Sequence, residues 1–185
     1  MKWTLLAALL AFSANTMACD SYKKISRNID KRYQEQLLFT GISKSIAYEF
    51  WANRKRGSWS LVQRSAHVFN GRTKECAKLM LSGKGYAIAD DSRNTFFADI
   101  DPDFNPAITA RCIQPSTNSL LLWGRYSELP IVHAIGTDVS IVIYSSPKSW
   151  TLTRLMPDYN RSQWCVQPGA SGKQSFVSAV DLGAI

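Results

Sequence analysis

The feature that most constrains this 185-residue chain is a pattern that occurs twice. Gly57-Ser58-Trp59-Ser60-Leu61 is followed by Cys76 and then Ser82-Gly83-Lys84. Ser149-Trp150-Thr151-Leu152 is followed by Cys165 and then Ser171-Gly172-Lys173, with six positions from cysteine to serine in both places. Arg32-Tyr33-Gln34-Glu35 and Arg125-Tyr126-Ser127-Glu128 also match, and each arginine lies 13 residues after a cysteine, Cys19 or Cys112. The chain reads as a duplication, so its fold must be one that a copied unit can build twice.

Within the first copy, Tyr22, Ile25, Ile29, Tyr33 and Leu37 fall at helical spacing with Lys23, Lys24, Arg27, Lys31 and Arg32 on the other faces, which predicts an amphipathic helix closed by a turn at Gly41. Ile46, Tyr48 and Phe50 alternate with Ala47, Glu49 and Trp51 at the period of a strand, Asn53 to Gly57 is a polar turn, and Trp59 and Leu61 continue a second strand. Asn70-Gly71 leads to a third strand through Cys76 that ends at Ser82-Gly83. In the second copy, Pro115-Ser116 opens a helix whose apolar side is Leu120 to Trp123 with Tyr126. The expected fold is α+β: two tandem repeats, each one helix plus a three-stranded antiparallel meander closed by a disulfide. The expected boundaries are 19-86 and 112-185 for the repeats, with an acidic linker at 87-111. The Asp99-Ile100-Asp101-Pro102-Asp103 run in that linker fails the register of a calcium loop, because Phe104 and Ala110 stand where glycine and an acidic residue are needed.

Residues 1-18 carry Lys2, the apolar run Trp3 to Phe12 and a small-residue end, the pattern of a secretory signal peptide. Cleavage after Ala18 would leave Cys19 first, and a lipid anchor there is disfavoured because Thr16 occupies a place where such signals carry a large aliphatic residue. Export to the periplasm or beyond allows disulfides among Cys19, Cys76, Cys112 and Cys165. The duplication favours Cys19 with Cys76 and Cys112 with Cys165, each bond stabilising its unit by ~4 kcal/mol on the chain-entropy model, with the two other pairings still open. No run after the leader is long and apolar enough for an integral membrane segment.

Charge separates the copies. Cys19 to Tyr86 holds 14 Lys/Arg against 5 Asp/Glu, whereas Ala87 to Ile185 holds 7 against 9. A basic first repeat favours anionic partners, and Arg54, Lys55, Arg56, Arg72, Lys74 and Lys84 on its turns are the candidate anion-binding residues. His67 and His133 lack neighbours at ligand spacing, so no metal and no cofactor is expected. Glu35 and Glu128 at matched places invite an acid/base reading, set against pairing with Arg32 and Arg125 or capping of backbone donors. Trp59 and Trp150 are assigned to the sheet cores rather than to ligand stacking.

Cys19, Tyr22, Tyr33-Gln34-Glu35, Gly41, Glu49, Gly57-Ser58-Trp59, Gly71, Cys76 and Ser82-Gly83 resemble a pattern in small exported proteobacterial proteins of unknown function, in which a cysteine and helix precede a G-x-W hairpin, a glycine turn and a second cysteine. That resemblance implies export and architecture, and it brings no activity. Ser82-Gly83-Lys84-Gly85-Tyr86 is similar to the S-G-x-x-Y loop of periplasmic lysozyme inhibitors, which implies an inhibitory role for Ser82, Gly83 and Tyr86, although the rest of the predicted pattern is not the eight-stranded barrel of that family. The function expected is an exported, non-catalytic binding or envelope-associated protein whose partner is an anionic envelope component or a protein. The alternatives are a periplasmic hydrolase with a site between the repeats and an inhibitor acting through Ser82 to Tyr86.

Overall fold

The computed structural model describes residues 20–69, 71–88, 113, 115–136, 139–158 and 163–177. In chain order these form β1 (Asp20–Ser21), α1 (Tyr22–Asn28) continued by a π-helical turn (Ile29–Tyr33), β2 (Gln36–Ser43), β3 (Ile46–Asn53), β4 (Ser58–Phe69), β5 (Arg72–Lys84) and β6 (Tyr86–Ile88). Then come α2 (Pro115–Tyr126), β7 (Leu129–Ile135), β8 (Ser140–Ser145), β9 (Trp150–Asp158), β10 (Gln163–Gly172) and β11 (Gln174–Val177). All strand pairings are antiparallel, in two sheets of order β1-β5-β4-β3-β2-β11 and β10-β9-β8-β7-β6.

The α+β expectation is corrected by this topology. Among the described residues antiparallel strand dominates, the helices are two short ones, and each half carries four long strands in place of three. The missing strand is β2 and its counterpart β7. Leu37, read as the last apolar position of a helix, instead lies in β2, because Gln34 takes a left-handed conformation (φ 55°) that stops the helix at Tyr33. Gly41, read as a turn, lies in mid-strand; a Cβ there would stand within 2.5–2.7 Å of ring carbons of Trp150. Of the four cysteines, Cys76 on β5 and Cys165 on β10 are described and neither is a free thiol, while Cys19 and Cys112 lie outside the described residues, as does most of the 87-111 linker.

Nor are the halves self-contained. β5 turns at Gly85 (φ 89°) and continues as β6, which leaves its own sheet to pair with β7; β10 likewise continues through Lys173 as β11, which pairs with β2. Counting each bent pair once, the eight described strands β2, β3, β4, β5/β6, β7, β8, β9 and β10/β11 close on themselves, and this strand exchange removes most free edges. Registers recur between the halves. Trp59 opposite Gly83 recurs as Trp150 opposite Gly172, Tyr86 opposite Ala134 as Ser175 opposite Gly41, and Asp20 opposite Ala77 as Ile113 opposite Val166. The bulge between Leu37 and Phe39 recurs between Pro130 and Val132.

The interior between the sheets is filled by alternate residues of both: Phe39, Phe50, Trp59 and Leu61 from one, Val132, Ile141, Ile143, Trp150 and Leu152 from the other. The opposite faces carry the helices. Ile29 and Ile25 pack on Val62 and Ala77, and Leu122 packs on Val142, Tyr144, Leu155 and Val166. The apolar side expected of α2 is corrected here: only Leu122 is buried, while Leu120, Leu121, Trp123 and Tyr126 face outward. No described helix is long and apolar enough to cross a membrane.

Candidate functional site

Two acids occupy matched, buried places. The Gln34 and Glu35 N–H groups both donate to the carbonyl of Ile29, five and six residues back, the latter at 3.2 Å, as the chain leaves the helix through a left-handed residue. Ser127 (φ 55°) is the left-handed residue of the second half, its N–H donating to Trp123 O at 2.9 Å and Glu128 N–H donating to Leu122 O at 3.3 Å. These caps swing each glutamate inward, leaving Glu35 2% and Glu128 1% exposed. The arginine pairing weighed from sequence is not made. Arg32 lies over the Tyr33 ring at 5.6 Å and Arg125 over Tyr126 at 5.5 Å, and no ion pair joins either to its glutamate.

Glu35 is surrounded by hydroxyls instead of cations. Burial pushes its carboxyl above the ordinary carboxylate range, and the Ser60 and then the Ser58 hydroxyl pull it back. Neither its Oε2 nor Ser58 Oγ closes a well-formed hydrogen bond, although both atoms are buried and the Ser58 hydroxyl is near enough to act on the carboxyl. The sequence counterparts of Ser58, Ser60 and Ser82 are Ser149, Thr151 and Ser171, and Glu128 Oε2 is a buried atom without a hydrogen-bond partner as well.

A groove of about 1620 Å³ runs past Glu35, along β4 and β5 beside α1. Tyr33, Ser58, Ser60, Ser82 and Lys84 line the end that holds Glu35, and His67, Lys74 and Lys78 line the other. The Ser65 hydroxyl occupies His67 at 2.8 Å. Burial lowers the His133 pKa. No three described His, Cys, Asp or Glu side chains stand together as a metal site would require.

The six cations predicted to bind anions divide into two groups. Arg54, Lys55 and Arg56 form the exposed turn between β3 and β4. Lys84 ends β5 opposite Ser58, and Gly85 N–H donates to Gly57 O at 2.8 Å, which sets Lys84 beside that turn. The π-helical turn joins them: Asn53 Nδ2 donates to Tyr33 O at 2.9 Å and the Arg56 guanidinium donates to Arg32 O at 3.4 Å. Arg72 and Lys74 lie at the far end of the β4–β5 hairpin, opposite Phe69 and His67, roughly 35 Å away at the rise of a strand. Sequence reasoning missed Arg32, Ser58 and Ser60 as members of the first group. The doubled Arg-Tyr-x-Glu was the signal that could have found this corner.

Ser82 and Gly83 are inside β5, opposite Ser60 and Trp59, and not on a projecting loop. Tyr86 opens β6 with its ring 6.0 Å from that of Phe50. Ser82 to Tyr86 is thus the corner where one sheet becomes the other, with Ser82, Lys84 and Gly85 exposed on it.

The halves differ beneath their helices. Glu49, 1% exposed, forms an ion pair with Arg64 Nε at 2.9 Å and accepts a hydrogen bond from Trp51 Nε1 at 3.1 Å, and Arg64 also reaches Glu75 at 3.6 Å. Burial, and then Glu49, pushes the Tyr22 hydroxyl up to about 12, while the Arg64 guanidinium stacks 4.6 Å from the Tyr22 ring. At the positions of Glu49 and Arg64 the second half has Val142 and Leu155. Comparison of the chain with protein-family models, curated proteins and solved structures finds no match.

Proposed function

We propose that this is an exported, non-catalytic binding protein that takes an anionic partner at the corner formed by the β3–β4 turn, the end of β5 and the π-helical turn. The observation that carries this reading is that the β3–β4 turn of Arg54, Lys55 and Arg56 is bonded both to the π-helical turn, through Arg56 and the Arg32 carbonyl, and to the end of β5, whose Lys84 lines the Glu35 groove. Like charges held side by side on short, hydrogen-bonded turns raise the local potential and make association with a polyanion favourable and salt-dependent. Against the hydrolase alternative stands the interior between the sheets, where Trp59, Trp150 and their neighbours leave the proposed inter-repeat site no room. Retention of the mature protein on heparin or anionic vesicles tests the reading. Arg54, Lys55 and Arg56 replaced by serine should elute at markedly lower salt, and the same change at Arg72 and Lys74 should do little; equal effects would overturn it.

A second reading, inhibition of a periplasmic lysozyme through Ser82 to Tyr86, is favoured by one observation: eight strands close on themselves and the exposed Ser82, Lys84 and Gly85 lie at their corner. Loss of lysozyme activity on titration with the protein, relieved by Ser82→Trp, supports it; undiminished activity at equimolar protein removes it.

A further inference from the structure

The Glu35 end of the groove carries a requirement that the cationic corner alone does not explain. Glu35 Oε2 is a buried acceptor that closes no well-formed hydrogen bond, and the Ser58 hydroxyl, near enough to act on the carboxyl, is buried and closes none either. Buried polar groups left unpaired cost stability, so a pair of them lining an open groove calls for a ligand that supplies the missing hydrogen bonds. The donor wanted by Oε2 has to be neutral: Lys84 on the same wall, with Arg56 and Arg32 behind it, repels an ammonium group. The same cations demand an anion on the ligand. Tyr33, 44% exposed at the groove wall, adds an aromatic face of the kind on which a sugar ring rests.

We propose that this end of the groove is a subsite for an acidic saccharide, whose neutral hydroxyls meet Glu35 and Ser58 while its carboxylate faces Lys84 and the β3–β4 turn. The inference rests on the anion-binding reading above and narrows it. A polyphosphate chain satisfies the cations but has no hydroxyl to give Glu35, and a neutral glucan has hydroxyls but no charge.

The test is affinity of the mature protein, by calorimetry at fixed salt, for oligogalacturonate, for polyphosphate of matched charge and for dextran. Oligogalacturonate should bind about tenfold tighter than polyphosphate, a difference of about 1.4 kcal/mol, with dextran weaker than both. Glu35→Leu, which keeps the volume and removes the acceptor, should erase that preference and leave polyphosphate affinity within about twofold. Ser58→Ala, which adds no bulk, carries the same test should the first variant fail to fold. Equal affinity of the wild type for both anions, or a preference that survives Glu35→Leu or Ser58→Ala, overturns the saccharide subsite and leaves the cationic corner standing. Binding to neither anion removes both.

Discussion

The indole N–H of Trp59, on β4, crosses to the other sheet and donates to the carbonyl oxygen of Ile135 at 2.9 Å. Trp150 returns the bond in the opposite sense, donating to Ile42 O at 3.2 Å. Each indole is seated over a glycine of its neighbouring strand, and the backbone at Gly83 and Gly172 is close enough that a Cβ would fall on the Ile135 or Ile42 carbonyl oxygen. Trp59→Phe keeps most of the apolar volume but orphans a carbonyl, so it should cost about 1–3 kcal/mol. Gly83→Ala and Gly172→Ala should each cost at least as much through overpacking, about 1–3 kcal/mol or more. Urea denaturation of the three variants checks the ranking.

The ion pair beneath α1 has its own control in the second half. Arg64→Leu alone leaves the buried Glu49 carboxylate without its cation and should destabilise by about 3 kcal/mol. Adding Glu49→Val puts into the first half the pair that Val142 and Leu155 make in the second, and most of the loss should return. A double-mutant cycle in urea reads the coupling; additive losses would show that the hydrocarbon solution of one half does not fit the other.

The two helices are matched in position and opposite in outward character. Where α2 presents Leu120, Leu121 and Trp123 to solvent, the corresponding residues of the first helix are Arg27, Asn28 and Asp30. The fold therefore does not need the apolar set. Leu120→Arg with Leu121→Asn and Trp123→Asp should change unfolding free energy by no more than about 0.5 kcal/mol per site, and should raise solubility. A loss of several kcal/mol by denaturant titration would mean that these side chains are holding the fold.

The recurrence of Arg-Tyr-x-Glu, the tryptophan and the Ser-Gly-Lys run was legible, and the registers set Trp59 opposite Gly83 and Trp150 opposite Gly172 in the same way. The strand exchange was not legible. It depends on how far the backbone bends at Gly85 and Lys173, and nothing in Tyr86-Ala87-Ile88 or Gln174 to Val177 says which sheet they join. The helix was overextended for a related reason: Tyr33 and Leu37 continue the apolar spacing, while the residue that ends the helix, Gln34, has no special composition. At the site, charge on the turns could be read directly. The separation of Arg72 and Lys74 from the other four cations could not, because it follows from the length of a straight hairpin. Glu35 was visible as a repeated acid, but its burial among serines rather than beside Arg32 is a consequence of the left-handed cap.

That burial predicts a pH signature. The folded state holds the Glu35 proton more tightly than the unfolded chain does, because burial penalises the ionised carboxylate more than the Ser60 and Ser58 hydroxyls relieve it. For a group raised on folding, the contribution to stability is full below its ordinary value of 4.5 and is lost as pH climbs through the raised one. Glu35→Gln removes the titration while keeping the shape. The variant's melting temperature should therefore match the wild type near pH 4, exceed it by a margin that grows as pH climbs through the raised value, and hold that margin above it, in thermal melts taken from pH 4 to pH 8. The opposite trend, a variant that loses ground as pH rises, would mean that the ionised carboxylate is stabilised in the fold, and the unpartnered Oε2 would then have a cation to meet.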